Sequence, residues 1–335
     1  MNVQIVLFDG FDVLDALAPY EVFMAAATYS KETINVELVS AEGAREVISG
    51  DNYLKLQASS KLDVSRQGIL IIPGASGPLD DADPNSVPMK LKRATETPLG
   101  QLLKKAWAQP DLLIATVCGG SLILAMNDLL EGRHAATHHM GMELLNATGA
   151  SAVHARVVDD IQLISSGGVT SGLDLSLYLI ERELGPHIAI EVEHLLEYER
   201  RGTVWKSSEK VPTDTFQRSS ELGSPLPATH EPNEASTFMG KWDTLISTPI
   251  GKLSVLFDLA CKDGQIIGTA KQGQEEATPL INPIQEGDRF MWKLKVTKPM
   301  RLSLHFNVSI KGDTMIGEAK AGMLPASKLT GQRIS

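Results

Sequence analysis

Basic side chains are scarce in this chain: 31 Lys and Arg stand against 41 Asp and Glu, a net charge of −10 over 335 residues. With no basic stripe to offset that balance, a nucleic-acid-binding surface is excluded, and no nucleic acid is expected as a partner. Cysteine is scarcer still. Cys118 and Cys261 are the only two and lie far apart, which argues against a disulfide framework. No segment approaches the ~18 consecutive apolar residues of a membrane helix, so no membrane partner is expected. The first residues, Met1-Asn-Val-Gln-Ile-Val-Leu-Phe-Asp9, lack a basic region and a long apolar core, and read as a strand rather than a leader. The expected location is cytoplasmic, where a free thiol stays reduced.

What the chain does have is enough length for two domains and 43% hydrophobic residues to fill their cores. Residues 1–203 alternate strand-like and helix-like segments. Strands are expected at Val3–Phe8, Ile34–Ser40, Gly68–Ile72, Leu112–Val117, His134–Thr137 and Gln162–Ser165. Helices are expected at Pro19–Tyr29, Pro98–Ala108, Leu173–Leu184 and Ile188–Tyr198. Pro19 suits the first turn of its helix. Such alternation predicts an α/β fold: a three-layer sandwich around a mainly parallel sheet. Residues 204–237 are rich in Pro, Ser and charge and read as a linker. Residues 238–335 carry short alternating segments punctuated by Lys262-Asp-Gly264, Glu286-Gly-Asp288 and Lys311-Gly-Asp313. They predict a small antiparallel β-domain, a meander or barrel. Gly240-Lys-Trp242 at its start and Gly331-Gln-Arg333 at its end resemble the ends of calycin-like barrels. Cys261, at a strand end with no neighbouring His, is read as structural.

The chemistry centres on Leu112-Leu-Ile-Ala-Thr-Val-Cys-Gly-Gly-Ser-Leu-Ile-Leu-Ala125. A buried-type strand ends in Cys118, two glycines and a serine follow, and then a helical run begins. This is a strand-turn-helix corner that thrusts the thiol outward. A buried structural cysteine is the commoner fate of a lone Cys; Gly119 and Gly120 favour a nucleophile. A thiol at a helix start is expected to be drawn towards thiolate by the helix dipole. Residues just past parallel strand ends gather at one sheet edge. Asp15 or Glu21, after the first strand, could therefore place a carboxylate beside the sulfur; equally, Asp15 could cap the helix opening near Pro19, with Glu21 a solvated helix residue. Ile72-Pro-Gly74-Ala75, with the Gly119 N–H, could form an anion-receiving nest. His138 or His139 could approach the thiol, although a lone His more often fills a polar gap. No metal or cofactor is expected.

Together these segments resemble the DJ-1/PfpI superfamily, class I glutamine amidotransferase-like in fold, over about residues 1–200. The resemblance rests on Leu14-Asp-Ala-Leu-Ala-Pro-Tyr-Glu-Val22, Ile72-Pro-Gly-Ala75, Val117-Cys-Gly-Gly-Ser-Leu-Ile-Leu124, Arg133-His-Ala-Ala-Thr-His138 and Gly167-Gly-Val-Thr-Ser-Gly-Leu-Asp174. Within the superfamily the isonitrile hydratase-like branch is most similar. The resemblance implies a flavodoxin-like fold and a homodimer with the site near its interface. It implies Cys118 as nucleophile on a nucleophile elbow and Asp15 as the carboxylate facing it, with Glu21 reduced to a helix residue. Gly74, Ala75 and Gly119 would bind substrate or oxyanion through their N–H groups, with His138, Thr170 and Asp174 in support. It further implies a lyase that hydrates a small-molecule isonitrile to an N-formamide through a Cys118 thioimidate. Two departures stand out: Gly119 replaces a threonine that follows the nucleophile in the hydratases, and Ala75 replaces the second glycine of the turn. They leave two competing expectations: another Cys/Asp-dependent addition, cyclisation or hydrolysis in secondary metabolism, or a non-enzymatic redox or metabolite sensor. The β-domain stands where regulators of the superfamily carry a helix-turn-helix.

Overall fold

Runs of Val, Ile and Leu, buried on both faces, form the centre of the first sheet. The computed structural model describes residues 1–50, 54–78, 83–207, 238–248, 251–262, 265–273, 276–296, 302–321 and 326–334. The first part contains strands β1 (Asn2–Leu7), β2 (Asn35–Ser40), β3 (Arg45–Ile48), β4 (Lys55–Ala58), β5 (Ser60–Lys61), β6 (Gly68–Ile72), β7 (Leu112–Thr116), β8 (His134–Ala135), β9 (Ser151–Ala152), β10 (Val157–Asp160), β11 (Leu163–Ser166) and β12 (Trp205–Lys206). Its helices are α1 (Val13–Tyr29), α2 (Val87–Glu96), α3 (Pro98–Trp107), α4 (Gly120–Met126), α5 (Met142–Ala147), α6 (Ser171–Leu184) and α7 (Pro186–Leu196). Eight strands form one sheet in the order β12-β10-β11-β7-β6-β1-β2-β5. All its pairings are parallel except β10 with β11. Helices α1, α6 and α7 pack together, and α2 packs on α3 and α4. The expected mainly parallel α/β sheet is thus present.

Several local expectations change. Helix α1 opens at Val13, six residues before Pro19, because Asp12 caps it: its Oδ1 accepts from the Leu14 N–H at 2.9 Å and the Asp15 N–H at 3.2 Å. Pro19 therefore lies inside the helix, where it cannot donate to the carbonyl one turn back. His134–Thr137 shrinks to the two residues of β8, which pair with β9 outside the main sheet. Trp205 and Lys206, assigned above to the linker, extend the sheet alongside β10. The rest of the expected linker, from residue 208 to 237, lies outside the described residues.

The second part contains β13 (Gly240–Thr248), β14 (Gly251–Lys262), β15 (Gln265–Lys271), β16 (Thr278–Pro279), β17 (Ile281–Glu286), β18 (Arg289–Val296), β19 (Leu302–Lys311), β20 (Thr314–Ala321) and β21 (Ser327–Arg333). These nine strands form one antiparallel sheet, order β16-β15-β14-β13-β21-β20-β19-β18-β17. Its two ends approach each other, through β15 with β17 and β16 with β18, so the sheet is a nearly closed barrel. Alternate residues point inward. The Trp292 and Phe306 rings stack at 4.9 Å, and Phe257 meets both edge-on. The two end motifs expected to belong together meet: Trp242 pairs with Arg333 across β13 and β21, and the guanidinium lies 4.2 Å over the indole. The buried Trp242 Nε1 donates to the Phe238 carbonyl at 2.9 Å.

Candidate active site

Strands β1, β6, β7 and β11 run in the same direction, so the loops at their C-terminal ends converge on one edge. Cys118 lies there, just past β7, with φ 56°, a left-handed conformation unusual for a residue with a β-carbon. Neighbouring loops hold it in place. Its N–H donates to the Gly167 carbonyl at 3.1 Å, its own carbonyl accepts from Thr137 Oγ1 at 2.7 Å, and the Val117 N–H donates to the Ile72 carbonyl at 3.0 Å. Behind it, a β-carbon on Gly120 would stand 2.1 Å from the Ile72 carbonyl oxygen, so only glycine lets α4 start this close to β6. The corner expected from the sequence is therefore real and over-determined.

Asp15 enters from the first turn of α1 and is fully buried. Its Oδ2 accepts from the Gly74 N–H at 3.0 Å, while Oδ1 is buried with no hydrogen-bonding partner among the described residues. Burial and then the neighbouring Asp12 carboxylate push the Asp15 carboxyl up to about 8, against the pull of the Gly74 N–H and the Cys118 thiol. The thiol is also displaced upward, first by burial and then by the Asp15 charge, with the Gly119 N–H opposing. This reverses the expectation of a dipole-stabilised thiolate. Helix α4 has only seven residues, and desolvation outweighs its dipole. At neutral pH the resting pair is a thiol beside a protonated carboxyl, and the two titrate as a unit.

Gly74 is the hinge of this geometry. A β-carbon there would fall 2.6 Å from the Gly119 nitrogen, 2.8 Å from Asp15 Oδ2 and 3.1 Å from the Cys118 β-carbon. The Gly74 N–H, expected to face a ligand, instead fixes Asp15. Ala75 forms an isolated bridge with Phe11, tying this loop to the one that leads into α1. Beside Gly119 stands Leu91 of α2, whose Cδ1 would be 3.1 Å from a β-carbon at that position. Leu91 thus covers the Gly119 side of the turn with apolar surface.

The remaining expected residues divide. His138 is half-buried, with its ring against Gly168, next to the carbonyl that holds Cys118. Its Nδ1 accepts from the Met140 N–H at 3.4 Å, and burial followed by the adjacent His139 lowers its basicity, which favours the neutral ring. Thr170 and Asp174 meet elsewhere, around Arg156. Asp174 Oδ2 accepts from Arg156 Nε at 2.8 Å and from the Tyr198 hydroxyl at 3.0 Å, and its Oδ1 accepts from the Arg201 N–H at 2.7 Å. Arg156 also donates to Thr170 Oγ1 at 3.3 Å. These two residues brace α6 rather than touch the thiol. Glu21 is exposed on α1. Among the described residues no group of three or more His, Cys, Asp or Glu could hold a metal.

Three neighbours escaped the sequence reading: Asp12, Leu91 and Lys90. The Lys90 ammonium, almost fully buried, donates to the carbonyls of Ser76 at 2.6 Å and Gly50 at 3.0 Å. It clasps α2 to the loops flanking the site. No local signal marks it, since its burial comes from segments remote in sequence. Lys90→Met strands both carbonyls and is expected to cost about 2–3 kcal/mol, read from the urea midpoint.

A cysteine on a strained strand-to-helix corner, faced by a buried carboxyl at the end of a parallel sheet, defines an α/β protein built around a buried thiol-carboxyl pair. Residues 1–182 match the DJ-1/PfpI family, and the chain belongs to that family. It is 27% identical over 201 residues to an isonitrile hydratase of Pseudomonas putida, covering 59% of this chain and 78% of that one. It is 26% identical over 192 residues to the HTH-type transcriptional regulator CdhR of Pseudomonas aeruginosa, covering 56% of this chain and 52% of that one. Among solved structures, a THiJ/PfpI family protein from Pseudomonas syringae superposes with a TM-score of 0.50 at 24% identity, covering 60% of this chain and 76% of that one, a likeness of fold.

Proposed function

We propose that this chain is a cysteine-dependent enzyme that hydrates an isonitrile to an N-formamide. The carrying observation is the pairing of Cys118 with a carboxyl that burial keeps protonated up to about 8. An isonitrile needs both partners at one carbon: a sulfur nucleophile and a proton. Cys118 Sγ forms a bond to the terminal carbon as Asp15 delivers its proton to that carbon, and the thiol proton passes to the Asp15 carboxylate. The product is a thioimidate on Cys118. Water then adds to that carbon, and the nitrogen gains a proton. Collapse expels the sulfur, which regains its proton, and releases the N-formyl product. Atoms balance as one isonitrile plus one water. The likeness to the isonitrile hydratase supports this reading.

Gly119, which offers no hydroxyl beside the thiol to assist the addition of water, favours a second reading, in which the same pair adds to another small electrophile such as a dicarbonyl. Intact-mass measurement after exposure to small isonitriles and to dicarbonyls separates the two, alongside chromatographic detection of the formamide. The expected result is an adduct on Cys118 with the mass of the isonitrile, formamide release, and a loss of turnover of about a thousandfold or more in Cys118→Ala. Full isonitrile turnover by Cys118→Ala sinks the proposal.

A further inference from the structure

We propose that the site selects its substrate by charge: Asp12 at its mouth admits neutral and cationic electrophiles to Cys118 and turns away carboxylates and phosphates. This deepens the function proposed above and rests on Cys118 as the reacting thiol.

Asp12 is half-buried at the start of α1. It is held rigidly, because its N–H donates to the Gly74 carbonyl at 3.0 Å and its Oδ1 caps the helix. Its second oxygen makes no hydrogen bond to a described residue. The same Gly74 N–H that binds Asp15 follows in this loop, so the two carboxyls flank one turn. The field of Asp12 reaches all three titratable groups of the site, bearing on Asp15, Cys118 and His138 alike. The nearby cation, Lys90, is turned to the carbonyls of Gly50 and Ser76. Deeper in, Asp15 Oδ1 is fully buried and unpartnered beside the thiol. The proton that burial retains there satisfies it and leaves Asp15 neutral, so the selecting charge is that of Asp12. The Asp12 carboxylate therefore repels an anion approaching the thiol, and its partial burial strengthens that repulsion.

The test uses three small thiol reagents that differ chiefly in charge: 2-aminoethyl, methyl and 2-sulfonatoethyl methanethiosulfonate. Rates at Cys118 are followed by peptide mass mapping, which separates them from Cys261, and are referenced to free cysteine. The cationic reagent is expected to outpace the anionic one by about tenfold or more beyond that reference. The ratio should shrink severalfold in Asp12→Asn, which keeps an oxygen for the cap. Asp111→Asn, an equal charge change at the opposite end of β7, should leave it unaltered. In the unaltered protein, raising the salt to about 0.5 M should compress the ratio, which tests the claim without any substitution. A ratio equal to that of free cysteine, or one indifferent to both salt and Asp12→Asn, overturns it. Because labelling requires no turnover, a failure of isonitrile hydration alone leaves this result standing.

Discussion

Asp15→Asn is expected to match the native protein in unfolding free energy near pH 4 and to exceed it by about 4–5 kcal/mol at pH 8. The folded protein keeps the Asp15 proton up to about 8, whereas the unfolded chain releases it near 3.8. Between those values the native state binds more protons than the unfolded state, so stability falls as pH rises. At about 1.4 kcal/mol per unit the whole interval amounts to about 6 kcal/mol, and partial titration at its two ends leaves about 4–5 kcal/mol between pH 4 and pH 8. Asparagine does not titrate and still offers an oxygen to the Gly74 N–H, so the difference between the two proteins should open across this window and then level off. Urea titrations at pH 4, 6 and 8 measure it. A pH-independent difference would show that Asp15 is ionised in the native state. The same substitution removes the acid of the proposed reaction, so a more stable protein with little turnover is the combined expectation.

Gly74→Ala is the second large effect, and acts on geometry alone. The added carbon collides with the Gly119 backbone and the fully buried Asp15 carboxyl. Overpacking of this kind costs about 1–3 kcal/mol. Its effect on reactivity should be larger: a displacement of about 1 Å between thiol and carboxyl is enough for a loss of about 100-fold. Labelling of Cys118 by methyl methanethiosulfonate, with Ala75→Gly as a control expected to stay within about threefold of native, reads this directly. Native-like labelling of Gly74→Ala would mean that the turn does not set the site.

The corner at Cys118 was legible because local chemistry determines it: small residues crowd a sharp turn between two apolar runs. The role of Asp15 was less so. Its position just past the first strand allowed Asp15 or Glu21 to face the thiol and equally allowed Asp15 to cap the helix, and the resemblance carried by the Leu14–Val22 segment chose between them. In the fold, Asp12 takes the cap and Asp15 is left to face inward. Electrostatics at the thiol were misjudged, since a dipole argument from sequence contains no term for burial. Asp12, Lys90 and Leu91 matter through partners contributed by other loops, and no pattern within their own segments reveals that. In the β-domain, Gly-Asp turns such as Gly287-Asp288 and Gly312-Asp313 marked the hairpins, while only the Trp242 and Arg333 motifs hinted that the first and last strands are neighbours.

That neighbourhood has a consequence for biosynthesis. Strand β21 sits within the sheet, between β13 and β20, rather than at its rim. Until the ribosome delivers Ser327–Arg333, both flanking strands present bare edges, while the α/β sheet has had its final strand since Lys206. The nascent chain therefore passes through an interval in which one half can be complete and the other is a template for mispairing. Premature termination within the last strand should yield protein that retains the Cys118 site yet is prone to aggregate through the open barrel.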